Sequence, residues 1–297
     1  MPFFKTSDSP IHFLERGSGD PVLLIHGLGC TGADWAFQVA GLEPRFRVIV
    51  PDLPGSGHSP PPRAGYSIAA YANALWQLVD RLPLERISIV GFSLGGAVAF
   101  EMAAQRPADV QRLVLINSLA NYRPHSVRKW LETYLAAAVV KVIGMERAAY
   151  IMAARLFPES WQRRMREHTV LAIGAVPATA YLGMGFALAS WQIVDRLHLI
   201  RAKKTLLIAA ENDFTPLAEK VALAEDLNAS LVVVKGSRHG TPFDSVEATN
   251  AALLAFLSDE PLPASAPWAR DLPSRTAALT LVGSIAEEHA MSRLLVD

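Results

Sequence analysis

Short runs of apolar residues, each bounded by glycine, proline or aspartate, alternate along most of the chain with longer segments whose apolar positions recur at helical spacing. Runs that are apolar at nearly every position predict strands buried on both faces, and their alternation with helices is typical of a mostly parallel sheet. The strand candidates are residues 22–27, 47–52, 87–92, 112–117, 205–210 and 230–236, with an edge strand at 11–17. The helix candidates are residues 67–81, 93–105, 217–227 and 246–257. The pattern therefore predicts an α/β fold.

The alternation stops after Asn117, and about eighty residues carry only helical patterns before the strands resume at Thr205. This interruption predicts a helical insertion placed over one end of the sheet. We therefore divide the chain into three regions. They are a core of residues 1–118 and 199–260, a helical cap of residues 119–198, and a C-terminal extension of residues 261–297.

The extension begins with a proline-rich stretch, 261–273, that is not expected to be regular, whereas residues 274–295 could form a helix with an apolar stripe. A docked helix, a partner-binding segment and a disordered tail all remain open. The pattern assigns no function to this region.

A charge-free stretch from Thr169 to Val194 is long enough to cross a bilayer. Pro177 and several glycines interrupt it, and its flanks carry no basic anchor, so it predicts two helices split at Pro177 rather than a membrane span. The N-terminus lacks a basic start followed by a long apolar run. We expect a cytoplasmic protein without stable membrane insertion.

Composition narrows the range of partners. The 297 residues carry 28 basic and 28 acidic side chains, and a net charge of zero gives no support to nucleic-acid binding. The single cysteine, Cys30, excludes an intrachain disulfide and a site with several thiolates. We expect a small-molecule partner, no cofactor and no metal, and the sequence leaves the oligomeric state open.

The sharpest chemical signal is a G-x-S-x-G motif, Gly91 to Gly95, with Gly96 directly after it. An apolar strand candidate enters this motif and a helix candidate leaves it, which is the context of a nucleophile elbow. The serine at such a turn has a strained backbone, and side chains two positions away on either side would clash. We predict Ser93 as the nucleophile.

An activated serine needs a base and an acid that orients the base, and in an elbow architecture the acid and then the histidine follow the serine along the chain. The histidines after Ser93 are His125, His168, His198, His239 and His289. His239 alone stands in a turn-rich segment directly after a strand candidate in the core. Asp213, just after strand candidate 205–210, is the predicted acid, with Glu211 as a rival and Asp244 better explained as a helix N-cap.

The developing oxyanion needs two hydrogen-bond donors. The backbone N–H of Leu94, at the start of the elbow helix, is one candidate, and the N–H of Leu28 in the segment His26-Gly27-Leu28-Gly29 is the other. Glycines on both sides of Leu28 allow the backbone to approach a substrate closely. His26 is expected to form hydrogen bonds within this loop.

These motifs together resemble the α/β-hydrolase superfamily across about residues 10–258. The segments that carry the resemblance are HGLG at 26–29 with Trp35 after it, PDLPGSGHS at 51–59, GFSLGG at 91–96, ENDFTP at 211–216 and SRHGTPFD at 237–244. The resemblance implies an eight-stranded, mostly parallel sheet with a cap between strands six and seven. Arg238 stands where relatives often have glycine, which puts no catalytic residue in doubt.

Serine at the elbow, where relatives that cleave haloalkanes or epoxides carry aspartate, leaves an acyl-enzyme route. The cap has few charges over 169–194, which favours a small, mainly apolar carboxylic ester, and we expect Trp35 and Met184 to contact it. Basic residues at the start of the cap are interpreted as a solvated helix face. Lactone, thioester or C–C bond hydrolysis on the same three residues stays open, as do a non-catalytic ligand receptor and a membrane- or protein-associated module.

Overall fold

The computed structural model describes residues 3–200 and 204–263. Within these ranges eight strands form one sheet in the order β1-β2-β4-β3-β5-β6-β7-β8. Only the pairs β1–β2 and β2–β4 are antiparallel. The strands are β1 Phe3–Lys5, β2 Pro10–Arg16, β3 Asp20–Ile25, β4 Phe46–Pro51, β5 Ile87–Phe92, β6 Val110–Ile116, β7 Lys204–Ala210 and β8 Ser230–Val234. The predicted α/β class, with eight mostly parallel strands, is confirmed.

Helices connect the strands and cover both faces of the sheet. They are α1 Ala36–Leu42, α2 Ile68–Val79, α3 Leu94–Gln105, α4 Val127–Ile143, α5 Met145–Leu156, α6 Arg163–Gly174, α7 Ala178–Ala189, α8 Leu217–Asp226, α9 Thr241–Asp244 and α10 Val246–Leu257. The sequence pattern did not predict β1, α1 or α9. Each of these has seven residues or fewer, which is too short for a periodic pattern to stand out.

Successive side chains of the central strands enter two different hydrophobic clusters. On β3, Leu23 and Ile25 pack with α2 and α3 on one face, whereas Val22 and Leu24 pack with α1 and α10 on the other. This is the two-residue period of a strand, and all four side chains are fully buried. Burial on both faces explains why the strands appear in the sequence as continuous apolar runs.

The segment between β6 and β7 consists of helices α4 to α7 and short 3₁₀ turns; we call residues 119–198 the helical insertion. Helix α6 ends at Gly174 and α7 begins at Ala178 with Pro177 as its N-cap, so the predicted split at Pro177 is confirmed. In the described part of the chain no single helix is long and apolar enough to cross a membrane. Ser160–Gly174 and Ala178–Ala189 satisfy the length and composition test only as a pair bent by 99°.

The helical insertion contacts the core beside the loop that follows β3. A Cβ atom placed on Gly29 would lie 3.0 Å from Ile173 Cγ1 and 3.1 Å from Tyr181 Cε2. Nearby, the Ser56 hydroxyl lies 3.5 Å from the sulfur of Met184 on α7. Helices α6 and α7 therefore lie against the edge of the sheet where β3 ends. From residue 264 onward, the predicted C-terminal extension lies outside the described residues.

Candidate active site

Ser93 occupies a sharp turn between strand β5 and helix α3. Its φ of 53° and ψ of −115° form a conformation that residues other than glycine rarely adopt. A Cβ on Gly95 would lie 2.1 Å from the carbonyl oxygen of Ile25, and one on Gly91 would lie 2.3 Å from that of Gly95. Only small residues fit at these positions, and the turn leaves the serine hydroxyl at the carboxyl end of the strand.

The loops after β7 and β8 bring an acid and a histidine to this serine. His239 Nε2 lies 2.9 Å from Ser93 Oγ, and His239 Nδ1 lies 2.8 Å from Asp213 Oδ1. With the ring proton on Nδ1, the imidazole donates to the carboxylate and accepts from the serine hydroxyl. Ser93 and His239 are both buried, and the Asp213 side chain is fully enclosed. The structure thus brings together all three residues that the sequence pattern selected.

The second carboxylate oxygen of Asp213 has two further donors. Thr215 Oγ1 donates to Oδ2 at 2.5 Å, and Lys220 Nζ forms a buried ion pair with the same oxygen. Burial alone would raise the pKa of Asp213, but the hydrogen bond from His239 and the positive charge of Lys220 outweigh it and lower the pKa to about 2. Asp213 is therefore a carboxylate at neutral pH.

The two rival acids point elsewhere. Glu211 Oε2 accepts a hydrogen bond from the backbone N–H of Gly236 at 2.9 Å. Asp244 accepts from the hydroxyls of Ser237 and Ser245 and from the backbone N–H of Arg238, and burial raises its pKa. The predicted N-cap role of Asp244 is wrong. Helix α9 ends at this residue, Ser245 is the N-cap of α10, and the carboxylate turns back to the loop that carries His239.

Asn117, directly after β6, connects the acid loop to the histidine loop. It has a left-handed φ of 47°. Its Oδ1 accepts from the backbone N–H of Ala210 and from Lys220 Nζ, while its Nδ2 donates to the carbonyl oxygen of His239 at 2.8 Å and to Thr241 Oγ1. One buried amide thereby fixes both loops relative to the sheet.

Two aromatic rings enclose the imidazole of His239. The ring centroid of Phe214 lies 4.1 Å from that of His239, and the Phe92 centroid lies 5.3 Å from it. Phe214 is 73% exposed although it is large and apolar. An exposed aromatic side chain beside a buried imidazole marks the accessible side of the site.

The predicted oxyanion donors are the backbone N–H groups of Leu28 and Leu94. Among the described residues, no acceptor is paired with the backbone N–H of Leu28 or that of Leu94. His26 Nε2 accepts from the backbone N–H of Leu53 at 3.0 Å, which leaves the proton on Nδ1 to be donated to the carbonyl oxygen of Gly27. Burial lowers the pKa of His26, so the ring is neutral. Its hydrogen bond to Gly27 lies within the loop, as predicted, and its bond to Leu53 joins this loop to the segment after β4.

Trp35 and Met184 are both core residues in this structure. Trp35 is 2% exposed and packs with Val22 and Leu24, on the face of the sheet that α1 and α10 cover. Met184 is fully buried in the other cluster, beside Ser56. Neither side chain presents an open surface, and their substrate contacts stay predictions.

Sequence reasoning missed the residues that support Asp213 and His239. The sequence did indicate that Lys220 is buried. Leu223 follows it by three positions and Ala224 by four, so all three residues lie on the same, buried face of α8. A lysine in phase with apolar residues requires a buried partner. Asn117 and Phe214 gave no comparable signal, since asparagine after a strand and a single aromatic residue in a loop are ordinary.

The sequence matches a known protein family. The family model described as alpha/beta hydrolase fold matches residues 20–246. An uncharacterized protein of Mycobacterium tuberculosis is 51% identical over 106 residues, which cover 36% of this chain and 31% of the relative, so the aligned part spans about a third of that protein.

Two further proteins match over most of their length. A putative carbamate hydrolase RutD from a Caulobacter species is 33% identical over 267 residues, covering 86% of this chain and 98% of the relative. The solved structure of a thermophilic esterase from Thermogutta terrifontis is 28% identical with a TM-score of 0.76, covering 84% of this chain and 94% of the esterase. The chain belongs to the α/β hydrolase fold family.

Proposed function

We propose that this chain is a serine hydrolase that cleaves a carboxylic ester of a small, mainly apolar substrate through an acyl-enzyme intermediate. The observation that carries the proposal is the continuous hydrogen-bonded series from Ser93 Oγ through His239 to Asp213. A serine that donates to an oriented imidazole is the arrangement that nucleophilic acyl transfer requires.

In the proposed mechanism Ser93 Oγ attacks the ester carbonyl carbon while His239 Nε2 takes the hydroxyl proton. Asp213 stabilises the imidazolium that forms, and the N–H groups of Leu28 and Leu94 donate to the oxyanion. When the intermediate collapses, the imidazolium gives its proton to the leaving alkoxide oxygen. Water, activated by the same imidazole, then attacks the acyl-enzyme and releases the acid.

The proposed preference for an apolar substrate rests on the apolar side chains around Ser93 and His239. We assign the helical insertion as a cap, because α6 and α7 lie beside the loop that carries Leu28 and contribute Ile173 and Tyr181 there. Phe214 adds an exposed apolar surface on the histidine side. The basic side chains of Arg128 and Lys129 at the start of the cap pair with Glu132 on the exposed helix α4, which fits the solvated face expected of them.

Carbamate hydrolysis is the second candidate function. The putative carbamate hydrolase RutD of Caulobacter matches this chain over 98% of its own length, whereas the 51% identical relative is uncharacterized. A carbamate carbonyl can be attacked by the same serine, but nitrogen donation makes it less electrophilic than an ester carbonyl. A panel of esters, lactones, thioesters and carbamates matched in acyl size separates the alternatives, and we expect the highest kcat/KM for apolar esters.

The decisive variants are Ser93→Ala and His239→Ala. Each should lower kcat for an aryl ester by several orders of magnitude, on the order of 10⁴ to 10⁶, because the three residues act as a unit. Ser190→Ala, at an exposed serine in the helical insertion, is the matched control and should retain wild-type turnover. Intact mass spectrometry with a slowly deacylating ester should show one acyl group on the wild type and none on Ser93→Ala. If Ser93→Ala keeps most of the turnover, the proposal is wrong.

A further inference from the structure

Lys220 is a buried cation that the proposed mechanism does not use. It lies in the first turn of α8 and its side chain is 1% exposed. Its Nζ donates to Asp213 Oδ2 and, at 3.2 Å, to Asn117 Oδ1. Burial lowers the pKa of Lys220, and the charge and hydrogen bond of Asp213 offset part of this effect.

This placement is costly unless the charge has a partner. An isolated ammonium group loses several kcal/mol of hydration on burial, so the lysine is tolerated only because Asp213 is ionised beside it. The dependence is mutual, since Asp213 is enclosed as well and binds Lys220 and Thr215 through one oxygen and His239 through the other. The lysine therefore fixes which carboxylate oxygen faces the imidazole.

We propose that Lys220 is a positioning residue that holds the Asp213 carboxylate toward His239 and offsets its negative charge beside the imidazole. This inference rests on the proposed function of Ser93, His239 and Asp213. With Lys220 present, the resting site contains one cation and one anion. Without it, Asp213 would be a lone buried anion next to the imidazole, and His239 would retain an added proton to higher pH.

Other titratable groups around the site do not replace this charge. Tyr122 faces Asp213 from the loop after β6, but burial raises its pKa to about 12, so it is neutral. Asp244 on α9 binds Ser237, Ser245 and the backbone of Arg238. Arg238 precedes His239 in the loop, and in the described part of the chain Lys220 is the lysine that pairs with Asp213.

The test compares Lys220→Met, which removes the charge and the donor, with Lys220→Gln, which keeps a donor without the charge. For both variants the acid limb of the kcat/KM profile should move to higher pH by roughly one unit. Lys220→Met should also lose about tenfold or more in kcat at its optimum, because the carboxylate is held less firmly. Lys220→Gln should lose less, and its milder change guards against a Lys220→Met protein that does not fold.

Two controls separate charge from structure. Thr215→Val removes the neutral donor to the same carboxylate oxygen and should lower kcat without moving the acid limb. Lys204→Met removes a half-exposed lysine that pairs with Asp259 and should leave the profile unchanged. A merely structural role for Lys220 would lower activity by the same factor at every pH.

A second measurement does not need substrate turnover. The imidazole signal of His239, assigned by its loss in His239→Asn, can be titrated by NMR in the wild type and in both Lys220 variants. A midpoint that rises by about one unit in the variants supports the proposal, and an unchanged midpoint in a folded variant overturns it. If no ester is hydrolysed, the proposed function fails, but this titration still decides the role of Lys220.

Discussion

At the scale of single residues, the turn that carries Ser93 is held by close backbone contacts rather than by side chains. Ser93 has a strained left-handed φ, and the chain around it approaches Ile25 so closely that a methyl group on Gly95 has no room. The atoms that it would meet are backbone atoms of Ile25 and His26 at the end of β3, which cannot rotate away as a side chain can. The turn is therefore determined by the absence of two side chains as much as by the presence of serine.

We predict that Gly95→Ala lowers the free energy of unfolding by about 1–3 kcal/mol or more and removes most of the proposed ester turnover, since relief of the clash must move the turn or β3. Gly185→Ala is the matched control. A Cβ there meets only Leu28 Cδ2, at an ordinary 3.9 Å, and alanine is favoured over glycine in helix α7 by about 0.5–1 kcal/mol. Denaturant titration and aryl-ester turnover check both. Equal stability of the two variants would contradict the prediction.

The sequence was informative for residues whose chemistry requires a local motif. Ser93 stands in a strand-turn-helix motif, and His239 and Asp213 each follow a strand that is apolar throughout, so their positions at one edge of the sheet follow from the alternation. Asn117 and Thr215 act through contacts between segments far apart in the chain. No local pattern encodes these contacts, because a polar residue after a strand is compatible with many neighbours.

At the scale of elements, helix α6 is tied to the core by an ion pair. His168 Nε2 lies 2.9 Å from Oδ1 of Asp34, in the 3₁₀ turn that follows the Leu28 loop, and the other oxygen of Asp34 accepts from the backbone N–H of Thr31. The hydrogen bond and charge of Asp34 raise the pKa of His168 against the effect of burial. A raised pKa means that the pair stabilises the fold below about pH 6.5, and that this contribution is lost as the pH rises through the folded-state value.

We predict that His168→Gln lowers Tm at pH 6 by about 2 °C or less and does not change it at pH 9. The effect is small because the imidazole is 43% exposed and solvent screens the pair. His125→Gln, at an exposed histidine of the helical insertion, should change Tm at neither pH. Calorimetry at both pH values measures the change in Tm. A larger loss of Tm at pH 9 than at pH 6 would contradict the raised pKa assigned to His168.

A second tie joins the other end of the helical insertion to α3. Glu101 accepts from the indole N–H of Trp191 at 3.0 Å and forms a bidentate pair with Arg196. Burial tends to raise the pKa of Glu101, but the hydrogen bonds from Arg196 and Trp191 lower it overall. Because the pKa of Glu101 is lower in the folded state, the pair stabilises the fold above the pKa of the unfolded state, about 4.3. This stabilisation is lost as the pH falls through the pKa of the folded state.

We therefore predict that Glu101→Gln lowers the free energy of unfolding by about 1–2 kcal/mol at every pH between 6 and 9. Below about pH 4 the wild type and the variant should differ less in this free energy. This is less than the cost of breaking a fully buried pair, because the Arg196 side chain is 42% exposed. Glu132→Gln breaks an exposed pair on α4 and should leave stability unchanged. Urea titrations over this pH range measure the differences, and a loss that grows toward acid would be inconsistent with the assignment.

Elements long enough to show a period were predictable, and their boundaries were less so. The strand predicted at 230–236 ends at Val234, because Gly236 turns with a φ of 71°. The role of Asp244 was misjudged for a related reason, since the four-residue helix α9 separates it from α10. Short turns of this kind are set by tertiary hydrogen bonds, which the order of polar and apolar residues does not reveal.

At the scale of the whole molecule, the two ties of the helical insertion respond to pH in opposite directions. The Glu101–Arg196 pair persists from neutral to alkaline pH, whereas the His168–Asp34 pair weakens as the pH rises. As the pH rises, helix α6 should therefore detach from the core at a lower pH than the segment around Trp191. The consequence reaches the proposed oxyanion loop, because Ile173 on α6 lies directly against Gly29.

We predict that amide hydrogen exchange, corrected for intrinsic rates, shows lower protection for Arg163–Gly174 at pH 9 than at pH 6, with little change in Leu94–Gln105. His168→Gln at pH 6 should reproduce the wild-type pattern at pH 9, since both remove the same charge pair. Glu101→Gln at pH 6 should instead weaken protection around Trp191. If Arg163–Gly174 exchanged equally at both pH values, the pair with Asp34 would not hold α6 against the core, and the α6 contact would rest on the packing of Ile173 and Tyr181.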